Sequence, residues 1–335
     1  MGQGCSQKDE CCVCSRDCVP RENELKQIQE DPRDEPPPTT HPLSRQLQTN
    51  DDVAFMAATE KPANSRMPGY FDREVEELKL LDPAPHNTAP GERLTYRFRS
   101  GAVYNGQWRG GKRSGFGVQK WPDGAIYEGE WEENKAEGCG RFAHSDGDSY
   151  IGQWRSNVAH GQGVYYHRDL TTYEGEWCND LQEGYGVESW GEGSRYEGLF
   201  KAGQKEGYGI YFWPDGSDYR GSWEGNCING RGVYVGSDGR WFKGRWKDSV
   251  IHGMGRYAWQ DGRQYVGEYA FDKKDGFGIF TWPDGRKYEG FWRQGKQHGQ
   301  GKYTMKDGVS RSAKWKDGKR SLVADTIAEV PKEES

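Results

Sequence analysis

Two consecutive stretches of the chain decide its fold: residues 104–126 read YNGQWRGGKRSGFGVQKWPDGAI, and residues 127–149 read YEGEWEENKAEGCGRFAHSDGDS. Both begin with Tyr-x-Gly-x-Trp, continue with Gly-x-Gly and carry Asp-Gly near their end. The same order returns every 23 residues without an insertion. The first position, which we number 0, is occupied by Tyr104, Tyr127, Tyr150, Tyr173, Tyr196, Tyr219, Phe242, Tyr265 and Tyr288. A fixed period of this size indicates a repeat architecture with nine full repeats.

Each repeat is predicted to be a β-hairpin. Positions 0, 2 and 4 share one face of a strand, so a ring, a glycine and a second ring line up. The segment from Gly-x-Gly to position 17 has the length of a second strand, and a loop of about six residues is expected to join the two. Trp-Pro-Asp-Gly at 121–124, 213–216 and 282–285 supplies turn residues, because Pro presets its dihedral angle and Gly suits the fourth position.

The repeats are expected to stack, because a single hairpin is marginally stable in water and must bury its rings against a neighbour. The predicted fold class is all-β: an elongated, single-layer antiparallel array of hairpins, with strands about 4.8 Å apart and a length of roughly 85 Å. The array is assigned to residues 94–318, with partial repeats at both ends. In the tail, 319–335, a short capping helix is expected from the spacing of Leu322, Val323, Ile327 and Val330.

Tyr-x-Gly-x-Trp, Gly-x-Gly and Asp-Gly at this period resemble the MORN (membrane occupation and recognition nexus) repeat family, over about residues 96–315. The resemblance implies a twisted antiparallel β-array used for scaffolding, self-association or attachment to membranes. Family members include junctophilins, the regulatory region of plant phosphoinositide kinases, ciliary radial-spoke heads and cortical cytoskeletal proteins of unicellular parasites. Departures from the pattern, such as Leu170 for a closing glycine and Phe200 and Tyr269 for Trp, concern local geometry and not the fold.

The amino terminus, residues 1–20, carries a lipidation pattern. Its first six residues, MGQGCS, fit the N-myristoylation motif, in which Gly2 becomes the acylated terminus. One myristoyl chain binds membranes only marginally, so stable anchoring needs a second signal. The segment has too few basic residues to supply that signal, and S-palmitoylation of Cys5 is the remaining candidate. Further palmitoyl sites are expected among Cys11, Cys12, Cys14 and Cys18.

Two other interpretations of the clustered cysteines remain open. In the first interpretation the cluster binds zinc, although the paired Cys-x2-Cys spacing typical of zinc sites is missing. In the second interpretation the cysteines form disulfides, although no secretory signal directs the chain to an oxidising compartment. Lipidation is the interpretation that the first six residues and the cysteines support together.

Residues 21–93 are predicted to be a mostly disordered linker, because they contain many prolines and few aromatic residues. One short helix is expected at 73–81, with Asp72 as its cap. Its apolar side would dock onto the first hairpins or, alternatively, bind a partner. That side is formed by Phe71, Val75, Leu78 and Leu81.

Composition and charge exclude several classes of protein. The chain has 48 glycines, 14 Trp, 19 Tyr and 12 Phe among 335 residues, which is typical of rings packed against backbone rather than of an aliphatic core. Residues 1–95 carry a net charge of −7 and the remainder +1. Neither part is an electrostatic match for nucleic acid. No window is apolar enough for a membrane-spanning helix.

Nearly every polar residue that suits catalysis recurs in register and therefore has a structural explanation. We accordingly predict a protein that is not an enzyme, with no catalytic residue, cofactor or metal site. Position 5 carries a column of cations that Glu132 and Glu224 interrupt, so direct binding of phosphoinositides is only a weak expectation. The column comprises Arg109, Arg155, Lys201, Lys247, Arg293 and Lys316.

The leading functional hypothesis is a non-enzymatic scaffold or adaptor at the cytosolic face of a membrane, either the plasma membrane or a cortical or pellicle membrane. The acyl chains would anchor it, the linker would give reach, and a ring-lined face or an exposed sheet end would bind partner proteins, cytoskeleton or a second copy as a homodimer. One alternative is a soluble cytoskeletal or axonemal component. Another is a lipid-sensing regulatory subunit of a separate enzyme.

Overall fold

The computed structural model of the protein describes residues 69–321. These residues form 21 β-strands, one 3-10 turn and one short α-helix. They belong to two compact units. Within the described range, unit 1 comprises 69–214 and 222–226, and unit 2 comprises 215–221 and 227–321.

Unit 1 begins with the 3-10 turn Tyr70–Asp72 and the helix α1 (Val75–Lys79). Its strands are β1 (Leu94–Arg97), β2 (Val103–Arg109), β3 (Lys112–Lys120), β4 (Ile126–Glu132), β5 (Lys135–Ala143), β6 (Ser149–Arg155), β7 (Val158–Tyr166), β8 (Thr172–Cys178), β9 (Leu181–Ser189), β10 (Arg195–Lys201) and β11 (Gln204–Phe212).

The strand β12 (Asp218–Glu224) contains the boundary between the units. Unit 2 continues with β13 (Cys227–Val235), β14 (Trp241–Lys247), β15 (Val250–Ala258), β16 (Gln264–Ala270), β17 (Lys273–Thr281), β18 (Lys287–Arg293), β19 (Lys296–Thr304), β20 (Ser310–Lys316) and β21 (Lys319–Ser321).

Within each unit, every strand pairs antiparallel with the next strand in the sequence. In unit 1 this holds from β1 to β11. In unit 2 it holds from β13 to β21. The predicted fold class, an all-β single-layer array of antiparallel hairpins, is confirmed.

The connection inside each hairpin is shorter than expected. In the second repeat, Glu132 pairs with Lys135, so only Glu133 and Asn134 form the turn, both with positive φ (51° and 73°). This is the backbone of a primed two-residue turn, which follows the twist of the strands. Of the residues assigned to a six-residue loop, Lys135 and the two that follow it instead belong to β5. That strand bulges around Gly138, whose φ of 66° suits glycine.

The turn between repeats matches its prediction. At 121–124 the Gly124 N–H donates to the carbonyl oxygen of Trp121 at 3.0 Å, and the Ala125 N–H donates to the Asp123 carboxylate at 3.2 Å. Gly124 has a φ of 95°, which an L-residue rarely adopts. Asp-Gly therefore serves turn geometry in this repeat.

The segment before the sheet is helical over a shorter range than 73–81. The helix α1 spans only Val75–Lys79, and its N-terminal capping residue is Glu74, with no side-chain hydrogen bond. Asp72 belongs to the preceding 3-10 turn, so its predicted role as the cap is wrong. Phe71 and Leu78 are buried, as their spacing indicated.

Several sequence-based predictions fall outside residues 69–321. They concern the acylation sites Gly2, Cys5, Cys11, Cys12, Cys14 and Cys18, most of the linker, and the capping helix after residue 321.

Candidate partner-binding surfaces

The rings at positions 0 and 4 form the core of each unit. Tyr127 lies across the paired glycines Gly129 and Gly140, and its hydroxyl donates to the carbonyl oxygen of Glu130 at 2.9 Å. A Cβ atom on Gly129 would lie 2.7 Å from that hydroxyl, closer than packed atoms approach. The glycines at positions 2 and 13 therefore exist to admit the tyrosine ring.

The ring at position 4 connects neighbouring repeats. The indole N–H of Trp131 donates to the carbonyl oxygen of Gly117, in the preceding repeat, at 3.2 Å. Trp131 also packs edge-on against Tyr104 and Tyr127, with ring centroids 5.5 and 5.0 Å apart. T-shaped pairs at this spacing contribute about 0.5–1.5 kcal/mol each beyond the area they bury.

The rings at positions 0 and 4 are themselves closed to a ligand. Across the repeats, the rings at positions 0 and 4 are each no more than 8% exposed. These two columns therefore belong to the core, and any ring-lined partner surface must use other positions of the repeat. A single layer buries them by packing rings of successive repeats against each other.

A second inter-repeat contact was not foreseen from the sequence. The turn residue Asn134 accepts the N–H of Arg113, in the preceding repeat, at 2.7 Å, while its own N–H donates to the Arg113 carbonyl oxygen at 3.0 Å. Equivalent side-chain acceptors at position 7 are Asn157, Asp180, Asn226, Ser249 and Asp272. Recurring Asn and Asp at this position were the available signal, because they tolerate positive φ and accept hydrogen bonds.

The residues before β1 cover the rings of the first repeats in unit 1. Phe71 contacts Trp121, Tyr127, Trp131, Phe142 and Trp154, with centroid distances between 5.3 and 5.9 Å. The Glu74 carboxylate, almost fully buried, accepts hydrogen bonds from Ser100 at 2.8 Å and from the Trp121 indole at 3.3 Å. Docking of this segment onto the first hairpins, rather than exposure to a partner, is what the structure shows.

Position 9 carries a buried cation in three repeats. The Arg113 guanidinium donates to the Gln119 side chain at 3.0 Å and to the Asn134 carbonyl oxygen at 2.8 Å. Its carbon lies 4.1 Å from the centroid of the Trp131 ring. Burial lowers the pKa of Arg113 to about 10.

The other two cations at position 9 differ in their partners. The Lys205 ammonium donates to the Glu188 carboxylate at 2.6 Å, and both side chains are about 5% exposed or less. The Lys274 ammonium has no hydrogen-bond partner among residues 69–321. Four rings surround it with centroids 4.7 to 5.2 Å away: Phe280, Trp292, Trp259 and Tyr265. Burial, with a smaller contribution from the Arg263 charge, lowers the pKa of Lys274 to about 7.

The accessible surface is the sheet face opposite the core rings, which we call the open face. In β4 the burial alternates, so that Glu128 and Glu130 are exposed between buried core residues. Exposed apolar residues on this face include Tyr185 and Leu199, which pair across β9 and β10. Phe277 and Phe291 pair across β17 and β18, with their rings 5.6 Å apart. Sequence reasoning missed these rings because they stand at positions 3 and 12, where the repeat has no fixed residue.

The cation column at position 5 lies exposed at the ends of the first strand of each hairpin. Each member is followed directly by the two-residue turn, so the column follows one edge of the array within each unit. In the part of the chain that the structure describes, no group of three His, Cys, Asp or Glu side chains could hold a metal ion. Its helices are too short and too polar to cross a bilayer.

The fold and its surfaces define a β-hairpin repeat protein whose core is fixed and whose open face varies. The family model for the MORN repeat matches nine segments, 104–126, 127–149, 150–172, 173–195, 196–218, 219–239, 242–262, 265–285 and 288–310. The chain belongs to the MORN repeat family.

Comparison with curated proteins gives no match to this sequence. Among solved structures, the chain is similar to the TCP10 domain of Danio rerio CPAP in complex with a STIL peptide, at 14% identity, with 69% of this chain and 98% of that chain covered and a TM-score of 0.38. It is also similar to the SAS-4 TCP domain of Drosophila melanogaster in complex with a proline-rich motif of Ana2, at 14% identity, 61% and 93% coverage and a TM-score of 0.26. At these TM-scores, neither likeness carries a conclusion about this chain.

Proposed function

We propose that the protein is a non-enzymatic scaffold or adaptor that holds partner proteins or cytoskeleton at the cytosolic face of a membrane. The observation that supports the scaffold role is that each repeat uses different positions for its core and for its surface. Tyr, Gly and Trp maintain the core, while positions 1, 3, 12 and 14 leave the open face free to vary. A rigid surface whose side chains change from repeat to repeat is suited to binding other proteins.

The membrane anchor in this proposal rests on the sequence. Gly2 would carry a myristoyl chain and Cys5 a palmitoyl chain, with Cys11, Cys12, Cys14 and Cys18 as further palmitoyl sites. Two acyl chains bind a bilayer far more stably than one, since each buried CH₂ contributes about 0.8 kcal/mol. The plasma membrane or a cortical membrane is the proposed location.

Membrane fractionation and lipid labelling test this anchor. We expect the wild-type chain to incorporate a clickable myristate analogue and to sediment with membranes, and Gly2→Ala to lose both properties. Cys5→Ala should keep the myristate label but shift toward the soluble fraction. Gly4→Ala is a matched control that leaves the acylated residue intact. An unlabelled wild-type chain, or an unchanged soluble distribution in all variants, would reject the anchor and favour the soluble cytoskeletal alternative.

The third candidate, a lipid-sensing regulatory subunit, would use the position-5 cations. It predicts binding of the unacylated chain to vesicles that increases with their anionic lipid content and falls when Lys201 and Lys247 are changed to Glu. Binding that does not depend on the anionic lipid would exclude it.

A further inference from the structure

Four cations lie together on the open face of unit 2. They are Arg231 on β13, Lys243 and Arg245 on β14, and Arg256 on β15, and all four are exposed. Arg231 lies directly opposite Arg245, and Lys243 lies directly opposite Arg256. Like charges in directly opposed positions destabilise an antiparallel pair. We call these four residues the basic surface.

The basic surface has no carboxylate partner within residues 69–321. Arg256 donates a hydrogen bond to the Gln264 side chain at 2.7 Å and lies over the Trp241 ring, and neither contact neutralises its charge. The repeat does not require cations at these positions. Position 12, where Arg231 stands, holds Phe116 and Tyr185 in other repeats. The clustered charge therefore needs an explanation outside the fold.

Unit 1 carries the opposite charge on its open face. Glu174 and Glu176 lie on β8 and Glu197 on β10, and we call these three residues the acidic surface. Glu174 lies between Val164 and Val187 of the neighbouring strands, so no cation opposes it. Glu176 lies opposite Gln162 across β7 and accepts a backbone N–H, which leaves its charge in place. Of the three, Glu197 has an ion-pair partner, Arg195, on its own strand at 2.9 Å.

Both surfaces include exposed apolar side chains. Tyr185 and Leu199, which are 53% and 44% exposed, stand beside the acidic surface. Met254 and Val266, which are 55% and 42% exposed, stand beside the basic surface, and Val266 lies directly opposite Arg256. Charges of this kind guide association and select the partner, while buried apolar area stabilises the complex.

We propose that the basic surface of one copy binds the acidic surface of a second copy. Guanidinium groups bind carboxylates through two parallel hydrogen bonds, so the arginines of one copy suit the glutamates of the other. If both copies use both surfaces, the product is a closed pair. If each copy instead places its basic surface on one neighbour and its acidic surface on another, the copies associate in an open row. This self-association goes beyond the proposed scaffold function. Evidence against the self-association would leave the scaffold function intact.

Sedimentation of the full-length chain tests the proposal. The chain carries Gly2→Ala so that acyl chains cannot drive association. We expect a mass above 38.1 kDa that falls on dilution, with an association at least about tenfold weaker in about 500 mM than in about 50 mM NaCl. The variants Arg231→Glu/Arg245→Glu and Glu174→Lys/Glu176→Lys should each weaken it at least about tenfold.

Mixing the two variants gives the decisive result. Each variant keeps the surface that the other has lost, so the intact basic surface of one can bind the intact acidic surface of the other, and an equimolar mixture should recover association. Recovery in the mixture also shows that both variants are folded. The control Arg109→Glu/Arg155→Glu makes the same charge change outside both surfaces and should associate normally.

Three outcomes would overturn the proposal. One is that the chain sediments with the mass of a single copy at every concentration. Another is that the mixture of the two variants associates no more strongly than either variant alone. The third is binding of phosphatidylserine vesicles that Arg231→Glu/Arg245→Glu abolishes while the protein remains a single copy, which would assign the basic surface to lipid. None of these outcomes bears on the acyl anchor, whose labelling assay is independent.

Discussion

Unit 1 and unit 2 bury a lysine at the same repeat position but stabilise it differently. Lys205 in unit 1 has the Glu188 carboxylate at 2.6 Å and lies near the Trp190 ring. Lys274 in unit 2 has four ring faces and no acceptor in the described residues. Burial without a counter-ion, with a smaller contribution from the Arg263 charge, lowers the pKa of Lys274 to about 7. Ring faces therefore do not replace a counter-ion once water is excluded.

Breaking the ion pair in unit 1 should have the largest effect. Glu188→Gln leaves Lys205 buried beside rings without a carboxylate, as Lys274 is, and should destabilise unit 1 by about 3–5 kcal/mol. Hydrogen exchange of β11 and denaturant unfolding measure this loss. The double variant Lys205→Met/Glu188→Leu removes both charges and should regain most of the stability. Equal losses in the single and double variants would mean that the pair contributes only packing.

Removing the unpaired ammonium group of Lys274 in unit 2 should stabilise the protein rather than destabilise it. Lys274→Met keeps the length of the side chain and the ring contacts but removes the desolvated ammonium. The free energy of unfolding should rise by about 1–4 kcal/mol at neutral pH. The neighbouring Lys273 is exposed, so Lys273→Met serves as the control and should change it by about 0.5 kcal/mol or less. If Lys274→Met destabilised the protein, the conclusion that its unpaired ammonium group costs stability would be wrong.

The buried Lys274 should also make the stability of unit 2 depend on pH. The pKa of Lys274 falls from 10.5 in the unfolded chain to about 7 in the folded protein. Between these values the unfolded state binds more protons, so the stability of unit 2 should rise with pH, by up to about 1.4 kcal/mol per pH unit. Below pH 7 both states are protonated and this dependence should disappear.

Buried tyrosines limit the measurable window at its upper end. Burial raises the pKa of Tyr288 to about 12, so unfolding is favoured once the unfolded tyrosines ionise near pH 10. Unfolding should therefore be compared between pH 7 and 9.5, for the wild type and Lys274→Met. The difference between the two curves isolates Lys274, and parallel curves would show that this lysine does not titrate in the window.

The smallest effect is expected from Arg263, the cation whose charge acts on Lys274. The charge of Arg263 contributes to the lowered pKa of Lys274, and its guanidinium pairs with Asp261 at 2.6 Å at a partly exposed site. Arg263→Gln should raise the pKa of Lys274 and move the rise in stability to higher pH, with a loss of less than about 1 kcal/mol from the ion pair. Asp261→Asn breaks the same pair without removing the cation, so it should leave the pH profile of Lys274 in place.

The period of the sequence was sufficient to predict the hairpins, because rings and glycines at positions 0, 2, 4 and 13 can pack only in one register. The two-residue turn was missed because Glu133 at positive φ has no sequence signal of its own. Its positive φ belongs to the primed two-residue turn, whose backbone matches the twist of the flanking strands. The apolar spacing of Phe71 and Leu78 predicted the docked segment, but its length depends on tertiary contacts rather than on a cap.

The surfaces were harder to predict than the core. The partner of Lys205 lies in the preceding repeat at position 15, where the other repeats hold Tyr or Phe apart from Gln119 in the first, so no column marks it. The basic surface combines positions 1, 3, 12 and 14 of two repeats, and only the strand register brings them together. Residues that vary between repeats can be interpreted only after the pairing is known.

The contact between Asn134 and Arg113 has a consequence for synthesis of the chain. The Arg113 N–H donates to the Asn134 side chain 21 residues later, and the Arg113 carbonyl oxygen accepts the Asn134 N–H. The Gly117 carbonyl oxygen likewise accepts the Trp131 indole N–H of the same later repeat. A repeat leaving the ribosome is therefore incomplete until its successor has emerged. Assembly should proceed from the first repeat toward the last with a delay of one repeat, so that a nascent chain always exposes a single unfinished edge.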